Sequence, residues 1–126
     1  MKDLIIDSTK YTPKVEFLAD SGKLLLSGSS YPENSVEFYQ PLIDWINEFV
    51  ETKDIPMEFN FSITYFNTST SKCFLLLIEI LESFHQKGGN VKINWHYQED
   101  DDDILESGEE LFVELDIPHE YIPTDK

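Results

Sequence analysis

The chain has 126 residues, 40% of them hydrophobic, which is enough for one domain with a real core. Against 25 Asp and Glu stand nine basic residues, all of them lysine, for a formal net charge of −16. A surface this acidic repels nucleic acid and anionic membranes, so neither is expected as a partner, and the lack of arginine removes the usual bidentate clamp for phosphate or carboxylate ligands.

Met1 to Asp7 holds no apolar run long enough for a signal peptide, and no stretch reaches membrane-spanning length. The single Cys73 cannot form an internal disulfide, so a soluble cytoplasmic protein is expected. Residues 3–7 and 14–18 read as short strands. Ala19-Asp20-Ser21-Gly22 turns the chain into a third apolar strand over 23–28. The polar connector 29–35 ends in N-cap residues, and Phe38, Leu42, Trp45, Ile46 and Phe49 then follow helical spacing. Pro41 lies inside that pattern, which predicts a helix that starts near Gln40 or kinks there.

Met57, Phe59, Phe61, Ile63 and Tyr65 alternate with polar residues, the period of a strand with one buried face. Four hydroxyls, Thr68 to Ser71, open the next helix, on which Cys73, Leu77, Ile80, Leu81 and Phe84 share a stripe. Gly88-Gly89 stops it. Residues 90–97 alternate again as a strand. The acidic turn 98–103 opens a third helix with Ile104, Leu105, Leu111 and Phe112 as its apolar side, and a last short strand is expected over 118–122. The order β-β-β-α-β-α-β-α-β implies right-handed crossovers. The expected fold class is therefore α/β: one domain over 1–126, a mixed sheet with helices mainly on one face.

Few motifs carry chemistry. The Glu99–Asp103 run lacks the glycine and spaced oxygens of a calcium loop. His85, His96 and His119 lie on different elements without metal-ligand spacing, and there is no phosphate-binding glycine loop or nucleophile elbow. No catalytic residue, cofactor or metal is assigned. The hydroxyl row is the exception. One helix cap needs one hydroxyl, yet four stand in succession where a buried strand hands over to a helix N-terminus. A phosphate there would add about −1.5 to −2 charge at the positive end of a helix.

Ser30-Tyr31-Pro32-Glu33-Asn34-Ser35, Phe38-Tyr39-Gln40-Pro41-Leu42-Ile43-Asp44-Trp45, Tyr65-Phe66-Asn67-Thr68-Ser69 and Asn94-Trp95-His96-Tyr97 occur in that order along nearly the whole chain. In these strings the chain resembles the SiaC family of bacterial biofilm-regulating phosphoproteins, a family similar to the STAS domains of anti-sigma-factor antagonists. The resemblance implies a STAS-like domain with Thr68 as the phosphorylated residue, Ser69 and Thr70 being alternative acceptors. It also implies a SiaB-type kinase, a SiaA-type PP2C-like phosphatase and a SiaD-type diguanylate cyclase, which the unmodified form binds and activates. The chemistry would belong to the partners, and this chain would not be an enzyme. On that reading Asn67 fixes the turn and Tyr31 to Ser35, with Tyr31 and Asn34, form a second contact loop. Ser69, Ser71, Lys72 and Glu79 then belong to the partner surface. The alternative is a small-ligand-binding domain or hydrolase with an acidic pocket, recognisable by convergent carboxylates around an apolar cavity.

Overall fold

The computed structural model describes residues 1–125. Nine elements follow in the expected order: β1 (Leu4–Ile6), β2 (Lys14–Phe17), β3 (Lys23–Ser30), α1 (Ser35–Thr52), β4 (Met57–Phe66), α2 (Thr68–Gln86), β5 (Val91–Gln98), α3 (Asp102–Leu111) and β6 (His119–Thr124). They build one six-stranded mixed sheet whose spatial order equals the chain order. β1, β2 and β3 form an antiparallel meander, and β3 to β6 run parallel. Each helix carries the chain one strand further in the same direction. Right-handed crossovers repeated in one direction place all three helices on one face.

Burial follows from that arrangement. Leu24 and Leu26 of β3, Phe59, Phe61 and Ile63 of β4, and Val91, Ile93 and Trp95 of β5 point under the helices and are buried. The alternate residues line the open face, where polar side chains pair with one another, although the buried Asn94 Oδ1 has no hydrogen-bond partner among the described residues. Asn94 Nδ2 donates to Glu58 and to Asn60 Oδ1, and His96 bonds that same oxygen at 3.0 Å. Phe61 is the hinge of the aromatic core, with ring centroids 5.2 Å from Phe74 and 5.3 Å from Trp95.

α1 begins five residues before Gln40 and runs unbroken through Pro41. Asn34 caps it, its Oδ1 accepting from Glu37 N at 3.0 Å, which fixes the start upstream of the proline. The donor that Pro41 lacks would have met the carbonyl of Glu37, and both residues are exposed, so water can take that carbonyl. β6 extends to Thr124, past Pro123. It is an edge strand paired only to β5, where a missing N–H is tolerated. α2 ends as its sequence requires: Gly88 takes φ +94° and donates to His85 O.

α3 lies close to the sheet because Gly108 faces the Trp95 ring. A Cβ at that position would stand 2.6 Å from the indole. Trp95 Nε1 donates to the Ile104 carbonyl at 2.9 Å and ties the helix down.

Candidate functional site

The carboxyl ends of β3 and β4 and the N-termini of α1 and α2 meet at one end of the sheet. At a parallel-sheet edge of this kind, the side chains that act are offered on turns held by rigid strands. Asn67, at extended φ and ψ, caps α2: its Oδ1 accepts from Thr70 N at 2.9 Å. The cap is therefore an asparagine, and the four hydroxyls that follow are left for other work.

Three of the four are committed. Thr70 is 0% exposed, and one assignment of protons satisfies its surroundings: Tyr39 donates to Ser30 Oγ (2.7 Å), Ser30 donates to Thr70 Oγ1 (2.9 Å), and Thr70 donates to the Ser30 carbonyl (3.2 Å). Burial drives the Tyr39 phenol well above its ordinary pKa, so it stays a donor. Ser69 donates to Asn67 Oδ1 at 3.1 Å and accepts from the buried Ser35 at 2.7 Å, joining the starts of α1 and α2. Ser71 donates to the Thr68 carbonyl.

Thr68 differs from all of them. It is exposed, it occupies the first turn of α2, and among the described residues its hydroxyl enters no hydrogen bond. Beside it opens a cleft of about 380 Å³ between α2 and α3. Phe66, Leu75 and Leu111 give this cleft its apolar surface, and Asn67, Thr68, Ser71, Ser107 and Glu110 give its polar rim. Leu75 is 45% exposed and Leu76, on the neighbouring shoulder, 48%.

The other expected site residues divide. Tyr31 stands at the same end, stacked edge-on between Tyr11 and Tyr65 at centroid distances of 5.3 and 5.7 Å. Asn34 is there too, with its side chain engaged as the α1 cap. Lys72 is exposed one turn beyond Thr68. Glu79 is not brought to this end. It lies about 16 Å further along α2 and borders the groove toward α1 with Asn47 and Val50. Leu75 and Leu76 escape a reading by helical stripe. The signal was the unbroken apolar run Phe74 to Ile78, which exceeds what one face of a helix can bury.

The acidic hollow at the start of α3 is lined by Gln98, Asp100, Asp101, Asp102 and Asp103, with no apolar wall of the kind a small-ligand pocket needs. Burial raises the Cys73 thiol pKa, which keeps it protonated as a core side chain. Among the described residues no group of His, Cys, Asp and Glu could hold a metal ion. No helix there is long and apolar enough to cross a membrane.

The model of the SiaC family regulatory phosphoprotein matches residues 6–124. The chain belongs to the SiaC family. It is 35% identical over 118 residues to an uncharacterized protein of Pseudomonas aeruginosa strain UCBPP-PA14, the match covering 94% of each. The crystal structure of apo-SiaC from Pseudomonas aeruginosa superposes with a TM-score of 0.91 at 34% identity, covering 97% of this chain and 99% of that one. A chain in the crystal structure of the diguanylate cyclase SiaD in complex with its activator SiaC, from the same organism, gives 0.94 at 33% identity, covering 97% and 100%.

Proposed function

We propose that this chain is a cytoplasmic, non-catalytic switch whose unmodified form binds and activates a diguanylate cyclase, and that phosphorylation of Thr68 releases the cyclase. A SiaB-type kinase transfers the γ-phosphoryl of ATP to Thr68 Oγ1, which loses its proton as ADP leaves. A SiaA-type PP2C-like phosphatase hydrolyses the ester with water and releases inorganic phosphate. The observation that carries this reading is the free, exposed hydroxyl of Thr68 at the rim of the α2–α3 cleft. It is supported by the solved relative that sits on SiaD as its activator.

The docking surface is the shoulder of α2 around Lys72, Leu75 and Leu76, flanked by Ser71, Asn67 and Tyr31. The apolar members lose water on binding, and a phosphate at the rim prevents this because a dianion resists desolvation. Thr70 is out of a kinase's reach in this fold, and a phosphate on Ser69 would break the link to Ser35.

Incubation with the cognate kinase and ATP, followed by peptide mapping, is expected to place one phosphate on Thr68. Phosphate found on Ser69, or confined to residues 98–126, overturns the reading.

A further inference from the structure

We infer that Lys72 is the group that responds to the phosphate on Thr68, holding it on the outer shoulder of α2 while Glu110 keeps it out of the cleft. This rests on Thr68 being the acceptor. Across α1, α2 and α3, Lys72 is the only Lys or Arg, in a chain of net charge −16. It follows Thr68 by four residues, which sets the two side chains one above the other with Cβ atoms about 5–6 Å apart. A negative group N-terminal to a positive one is the favourable order at this spacing. Lys72 is exposed and forms no ion pair among the described residues. The pairs that do form, Lys14–Glu16 and Lys92–Glu120, lie on the open face of the sheet.

The other flank of Thr68 is opposite in sign. There Thr68, Ser71 and Leu75 line the cleft, and Glu110 of α3 stands on its rim. A doubly charged phosphate on Thr68 therefore has a cation beside it on α2 and a carboxylate bordering the cleft. It turns toward Lys72. The modification then does more than add charge: it captures the one basic side chain within the three helices, which in the unmodified protein carries no ion pair among the described residues.

Phosphorus NMR of the phosphorylated protein, titrated with pH, tests this in the wild type, Lys72→Met, Glu110→Gln and Lys87→Met, with the ester first mapped by mass spectrometry. Loss of Lys72 is expected to move the second ionisation of the phosphate upward by about 0.3 pH unit, and loss of Glu110 to move it downward by a similar amount. Lys87→Met, at the far end of α2, leaves it unchanged. A titration unaltered by Lys72→Met, or one that Glu110→Gln leaves in place or moves upward, overturns the assignment. An ester mapped to another residue overturns the choice of acceptor instead.

Discussion

Thr68→Asp is expected to weaken binding to the cyclase by about 2 to 3 kcal/mol, roughly 30- to 150-fold, while Thr68→Ala keeps wild-type affinity and no longer responds to the kinase. The difference follows from position. Thr68 is exposed, its hydroxyl is free of hydrogen bonds among the described residues, and it stands at the rim of an apolar cleft, so truncation removes nothing the fold uses. A carboxylate at the same position must be stripped of water when a partner closes over Leu75 and Leu76. The same carboxylate favours the helix itself, because it sits at the positive end of the α2 macrodipole, worth about 0.3–1 kcal/mol. Thr68→Asp should therefore melt no lower than wild type. Loss of binding together with retained thermal stability separates a switched surface from a damaged fold. Calorimetric titration of both variants against the cyclase reads the effect, and equal affinities for Asp and Ala would count against the switch.

Trp95→Ala is expected to cost about 3–5 kcal/mol, a large part of the roughly 5–15 kcal/mol that holds a domain of this size folded. Trp95 is fully buried and touches Phe61, Phe66 and Phe112, with ring centroids 5.3, 6.2 and 5.7 Å away. Removing it opens a cavity beneath α3 and takes away the indole donor to the Ile104 carbonyl. Ser107, Glu110 and Leu111 ride on that helix and form one side of the cleft, so affinity for the cyclase should fall as well. Trp95→Phe keeps an aromatic ring and loses the N–H, and it should fall between the two. Urea unfolding followed by far-ultraviolet circular dichroism measures both. An Ala variant that unfolds at the wild-type denaturant concentration would show that α3 is not anchored through this residue.

Much of this architecture is legible in the chain. The alternation that begins at Met57 marks a strand with one buried face, which holds to Ile63 while Tyr65, expected on the same face, is 55% exposed, and Gly88 marks the end of α2; both signals are local and short in range. The start of α1 is less plainly marked. Pro41 is a strong local breaker, but the cap at Asn34 and the packing of Tyr39 and Leu42 hold the helix across it. The site is legible only in part. Composition brings four hydroxyls to the start of α2, but nothing local distinguishes them. They are sorted by contacts with residues 34 and 40 positions away in sequence: Thr70 goes to Ser30, Ser69 to Ser35, and the Thr68 hydroxyl to none. Lys72 and Glu110 are likewise unremarkable as residues in a row. Their meaning comes from α3 crossing beside α2 and leaving the cleft open between them.

On the function proposed above, one removable charge at the rim of that cleft decides whether the acidic protein holds its target. Titrating the same cyclase with the unmodified protein and with protein quantitatively phosphorylated on Thr68 tests it most directly. Binding by the first is expected, with a loss of about 100-fold or more for the second, because a partner closing over Leu75 and Leu76 must strip water from the phosphate. Matched affinities for the two forms would contradict it.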